Sequence, residues 1–166
     1  MSRRSAREKA MQLLYQLESQ KGHALEQIDL FLEERAPLPG SPRLVEPEEE
    51  GQSSAVEVLD EDDRAYIKAL ALGVMAKANE LDRLYGPYLN KWTPERLPII
   101  ERVLLRIGTY EICYAEDVPN SVAISEIIRL CKDYADEDSY AYINAVLAKV
   151  EREVAKEDTE ESGASQ

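Results

Sequence analysis

Between Ile99 and Tyr110 the apolar residues Ile99, Ile100, Val103, Leu104, Ile107 and Tyr110 recur at intervals of three and four. That interval is the helical period, which stacks one side chain per turn along a single side of a cylinder. The same period returns at Ala10, Leu13, Leu14 and Leu17, and again at Ile67, Leu70, Val74, Ala78 and Leu81. It continues at Ala123, Ile124, Ile127, Cys131 and Tyr134, and at Tyr140, Ile143, Leu147 and Val150. No alternating run of β-branched residues long enough for a sheet appears. The chain is therefore expected to be all-α, with about seven helices packed as a bundle.

Punctuation residues set the expected ends. Ser5-Ala6-Arg7-Glu8 fits an S-x-x-E capping box, so a first helix is expected over Ser5 to Gln20, followed by one over Leu25 to Arg35. Asp60-x-x-Asp63 supplies an N-cap and an acidic first turn to a third helix that ends near Leu84, before Gly86-Pro87. Thr93-Pro94 reads as the cap and first position of the helix that carries the Ile99 stripe. Asp117 to Ser121 breaks that helix and opens another, and Asp136-Glu137-Asp138-Ser139 breaks and caps again. On the last helix Tyr140 falls in the stripe with Ile143 and Leu147, and Tyr140 and Tyr142, two positions apart, cannot both face inward: if Tyr140 joins the core, Tyr142 faces elsewhere, with partial core packing of Tyr142 as the alternative.

The charge is segregated. The 166 residues carry a formal net charge of -13, which argues against nucleic acid at first sight. Yet in residues 1–21, Arg3, Arg4, Arg7, Lys9 and Lys21 outnumber Glu8 and Glu18, giving +3. Residues 36–63 hold nine acids against Arg43 alone, and residues 151–166 add -4, while 64–150 are near neutral. Pro37, Pro39, Gly40, Pro42, Pro47 and Gly51 mark the stretch at 36–59 as a flexible acidic insertion, and 156–166 reads as a disordered acidic tail. The expected layout is one domain over 1–155, with an N-terminal subdomain of about 1–85 and a C-terminal subdomain of about 86–155. A hydrophobic fraction of 44% suffices for a core. No apolar run reaches 18 residues and no secretory signal opens the chain, so an intracellular, cytoplasmic protein with no membrane contact is expected. Cys113 and Cys131 read as reduced packing residues.

Catalytic chemistry has little to stand on. The only histidine, His23, beside Gly22 at a helix start, reads as a surface or capping residue. There is no G-x-G-x-x-G, no G-x-x-x-x-G-K-[ST] and no G-x-S-x-G. The run Asp60 to Asp63 lacks the glycine and terminal glutamate of a calcium loop. Neither an enzyme, nor a metal site, nor a cofactor is expected.

The residues that folding alone does not explain are the basic ones at the start. Cations in a helix's first turn oppose the partial positive charge there, at a cost of about 0.3–1 kcal/mol each. Four cations, the dipole and the unsatisfied N–H groups together make an anion site, for which phosphate is the obvious ligand; a solubilising terminus is the plain alternative. Nine tyrosines against one Phe and one Trp add rings that can stack a base while the hydroxyl stays wet.

Four blocks carry a family likeness. They are Arg3-x-x-Ala6-Arg7-Glu8-Lys9-Ala10-x-Gln12-Leu13-Leu14-Tyr15; Glu101-Arg102-Val103-Leu104-Leu105-Arg106-Ile107-Gly108-Thr109-Tyr110-Glu111; Asp117 through Glu126; and Ile143-Asn144-Ala145-Val146-Leu147. In order and spacing they resemble the transcription antitermination factor NusB family over nearly the whole chain apart from the insertion and tail. The resemblance implies two three-helix subdomains and non-enzymatic binding of the boxA element of nascent ribosomal RNA. It implies the ribosomal protein NusE and the RNA polymerase antitermination complex as partners, with a second copy of the chain as a further candidate. It puts RNA contact on Arg3, Arg4 and Arg7, with a second region at Asp138, Ser139, Tyr142 and Asn144, and places the protein partner near Tyr15 and Glu101. Ser125 and Ala145 stand where the family usually has Asn and Gly, and Ala141 replaces a frequent basic residue. Two rival readings are a helical protein-interaction module without RNA specificity and the RNA-binding domain of a ribosomal-RNA methyltransferase. Against the latter, no nucleotide-binding unit is expected behind Gln166.

Overall fold

The structure is a computed structural model that describes residues 2–33 and 59–164, the side chains of 156–164 excepted. The insertion expected at 36–59 lies, but for Leu59, outside the described residues. Among the described residues there are six α-helices, two 3-10 turns and no strand. The helices are α1 (Arg3–Ser19), α2 (Ala24–Glu33), α3 (Glu61–Tyr85), α4 (Ile99–Tyr114), α5 (Asn120–Tyr134) and α6 (Glu137–Ala164), with 3-10 turns at Gly86–Tyr88 and Pro94–Arg96. The all-α expectation holds. The chain divides into two compact units between Ala71 and Leu72, within α3. The cause lies in the sequence: no Pro or Gly-Pro break intervenes between Asp60 and Gly86, so one helix of 25 residues serves both units.

In the first unit Ala6, Ala10, Met11, Leu13, Leu14 and Leu17 of α1 are buried, as are Ile28 and Leu32 of α2 and Ile67, Leu70 and Ala71 of α3. The α1–α2 turn uses two left-handed residues, Gly22 at φ 95° and His23 at φ 53°. Gln27 ties it down, its Nε2 donating to the carbonyls of Gln20 at 2.7 Å and Gly22 at 2.6 Å. Its Oε1 accepts from Gln16 Nε2 at 3.1 Å. At the start of α3, Asp63 N–H donates to Asp60 Oδ1 at 2.8 Å and Asp60 N–H to Asp63 Oδ2 at 3.3 Å. This reciprocal cap is the one the acidic run predicts, and the Asp63 N–H is the main cause of a lowered Asp60 pKa.

In the second unit α4 packs on α5 and α6, and α5 on α6. Gly108 lets them meet: a Cβ there would lie 2.9 Å from both methyls of Leu147 and 3.3 Å from Ile127 Cγ1. The α3–α4 seam holds a bidentate pair, Arg106 Nε to Asp82 Oδ1 at 2.9 Å and Nη2 to Oδ2 at 2.8 Å. The fully buried Tyr85 also donates to Asp82 Oδ1, at 2.5 Å.

Three expected boundaries move, each for a local reason. The cap of α1 is Ser2, whose Oγ accepts from Ser5 N–H at 3.1 Å, so Ser5 is the third helical residue and Arg3 and Arg4 lie inside the first turn. Thr93 makes no side-chain cap bond, and α4 starts only at Ile99. Pro98 forbids helical geometry to Leu97, which is extended at φ -66°, ψ 146°, and Pro94–Arg96 is left as an isolated turn. At the other end α6 continues to Ala164 through the stretch read as tail, where Ala, Lys and Glu are good helix formers.

Candidate nucleic-acid interface

The first turn of α1 sorts the basic residues by exposure. Arg3 and Arg4 are exposed, while Arg7, one turn further on, is 2% exposed. The α1 periodicity is responsible, since Arg7 shares its face with Ala10, Met11 and Leu14. A buried guanidinium with partners inside the protein is a structural group, so Arg7 is not laid out like Arg3 and Arg4. The Arg3 guanidinium lies over the Tyr66 ring, 4.5 Å from its centroid. Stacking engages the face of a guanidinium, so the ring orients Arg3. The Ser2 cap and the dipole of a 17-residue helix complete an electropositive end. Tyr15, further along α1, is half-buried.

The other candidates belong to the second unit, and two of them, Ser139 and Tyr142, feel Glu101. Ser139 is buried and its Oγ donates to Glu101 Oε1 at 2.5 Å. Burial pushes the Cys131 thiol up to about 11, helped by the Glu101 charge. The same two causes, burial first, raise the Tyr142 pKa. The Tyr142 hydroxyl is buried without a hydrogen-bond partner, so the side chain is turned inward. Asp138 and Asn144 are exposed on α6, Asp138 in its acidic first turn. Of the two tyrosines of α6, Tyr142 and not Tyr140 is the one turned inward. Tyr140, in the stripe by sequence, is 41% exposed with Lys132 Nζ 5.2 Å from its ring centroid. Ile143, Val146, Leu147 and Val150 set the buried face of α6, and Tyr140 falls outside it. The signal was there: taking Val146 into the stripe rotates the face away from Tyr140.

Among the described residues no group of three or more His, Cys, Asp or Glu side chains could hold a metal ion, and no helix is long and apolar enough to cross a membrane. His23 is a surface residue, its side chain 81% exposed and its Nδ1 3.6 Å from Glu26 Oε2.

Fold and site together define an all-helical protein whose distinctive side chains lie at helix starts on the surface. A family model described as the NusB family matches residues 4–152. The transcription antitermination protein NusB of Ruminiclostridium cellulolyticum is 40% identical over 152 residues, 92% of this chain and 90% of the relative. That of Clostridium perfringens is 38% identical, over 93% of this chain and 99% of the relative. The chain belongs to the NusB family. Solved structures agree on the fold: a T. maritima NusB superposes with TM-score 0.72 at 23% identity over 92% of each chain. A second, of antitermination factors NusB and NusE in complex with dsRNA, gives 0.69 at 22% identity over 90% of this chain and 96% of that one.

Proposed function

We propose that this protein is a transcription antitermination factor of the cytoplasm that binds the boxA element of nascent ribosomal RNA together with NusE, as a binding protein and not an enzyme. The observation that carries the reading is the capped first turn of α1, where two exposed arginines stand against the helix dipole with a tyrosine ring setting the geometry of one. That arrangement is unfavourable for the isolated helix and favourable once a phosphate arrives. Relatives that carry the antitermination name share 38–40% of their residues with this chain over nearly its whole length. Arg3 and Arg4 neutralise phosphates. Arg7 supports that turn from within, a positioning role. On α6, Asp138 and Asn144 offer exposed polar groups to bases, Tyr142 presents at most a ring edge, and Ser139 acts through Glu101. Tyr15 and Glu101 meet NusE.

A filter-binding titration of the full chain with boxA RNA and a scrambled RNA, with and without NusE, tests this. Preferential retention of boxA, strengthened by NusE, is expected. Equal retention of both RNAs under both conditions overturns the reading in favour of a protein-interaction module.

A further inference from the structure

The chain between α3 and α4 presents a large ring to water. Trp92, the single tryptophan, is 51% exposed, although Leu89 and Leu97 on either side of it are buried. The segment is not loose. Asn90 holds a left-handed turn at φ 44°, Trp92 N–H donates to Leu89 O at 2.9 Å, and Arg102 Nη1 donates to Pro94 O at 3.3 Å. The Gly86 turn also lies against Pro94, with 3.5 Å between its Cβ direction and Pro94 Cγ. A pinned loop that leaves half an indole wet forgoes burial of the most valuable apolar side chain available to it, which folding does not account for.

Exposed cations flank Trp92 in the sequence. Lys91 precedes it, Arg96 follows it, and the exposed Lys149 of α6 reaches the neighbouring Tyr88, 6.0 Å from that ring's centroid. Residues 86–98 carry Lys91 and Arg96 against Glu95 alone, a net +1 in a chain of -13. Lysine is depleted at protein–protein contacts, whereas cations beside a solvent-facing aromatic are what single-stranded nucleic acid requires.

We propose that the Trp92 loop is a separate nucleic-acid contact on which unpaired bases of single-stranded RNA stack against the indole while Lys91 and Arg96 neutralise adjacent phosphates. It rests on the RNA-binding reading above and deepens it. Every base has a π-face, so this platform adds affinity without sequence preference, and a transcript held by boxA elsewhere is gripped again through nucleotides of any identity.

Emission from the single tryptophan reports on the loop alone. Saturable quenching is expected with a boxA oligonucleotide and with a scrambled one. In filter binding Trp92→Ala weakens both RNAs roughly tenfold and leaves their ratio unchanged, while Trp92→Phe restores most of the loss. Lys91→Gln with Arg96→Gln lowers the slope of log affinity against log salt by about 1.4. If boxA RNA is retained while emission stays constant and Trp92→Ala binds like wild type, the platform falls and the antitermination reading stands. If no RNA is retained at any salt, both fall. An emission change with NusE and none with RNA marks the loop as a protein-docking surface and overturns the proposal.

Discussion

Tyr140 and Tyr142, two positions apart on α6, show how burial decides chemistry at the level of one residue. Tyr140 stands 41% exposed beneath Lys132, whereas the Tyr142 hydroxyl is shut in without a partner near the Glu101 charge. An unsatisfied buried hydroxyl is a cost, so Tyr142→Phe should leave stability unchanged or raise it by up to about 1 kcal/mol, read from a thermal melt followed by circular dichroism. A clear loss of stability would mean that the hydroxyl is satisfied in solution. The opposed orientation of the two rings was legible from the helical repeat. Which of them faces the core was not, because that depends on how α6 is rotated against α4 and α5. Arg7 makes the same point: its place in a basic arm was plain in the chain, and its burial follows only from the neighbours α1 acquires.

Among elements, a bidentate pair of the second unit joins α3 to α4 through Asp82 and Arg106, whose side chains are only 17% and 12% exposed. Removing one member leaves the other charge in poor solvent, so Asp82→Ala should cost about 3 kcal/mol in urea unfolding. A value near that of an exposed pair, below about 1 kcal/mol, would mean that water reaches both charges in solution. Neither residue was singled out by pattern, since a pair 24 positions apart leaves no mark in either helix's period. The apolar stripes, by contrast, marked five of the six helices, α2 excepted. Two boundaries moved where a stronger local rule competed: Ser2 outdid Ser5 as cap, and Pro98 delayed α4 to Ile99.

For the molecule as a whole, the net charge of -13 opposes RNA, yet Arg3 and Arg4 stand exposed at one helix end. At physiological salt, charge further away than roughly 8 Å is largely screened, so a phosphate at Arg3 and Arg4 responds to the charges beside it rather than to the net sum. Arg3→Ala with Arg4→Ala should therefore weaken boxA binding and reduce its salt slope by about 1.4, as two fewer phosphates are neutralised. Thermal stability should stay within about 0.5 kcal/mol per substitution, as for other exposed positions. Binding by the double variant equal to wild type across several salt concentrations would remove the arm from the interface.

Periodicity, caps and four short blocks were enough to establish helices, their order and the family, because each depends on residues within a few turns of one another. What faces water was decided by packing. Ser139 reaches Glu101 across 38 positions, Tyr142 turns inward, and Trp92 stays wet between two buried leucines. Such outcomes are set by which surfaces remain when helices have closed on each other, a property of their contacts that no single stretch of chain contains.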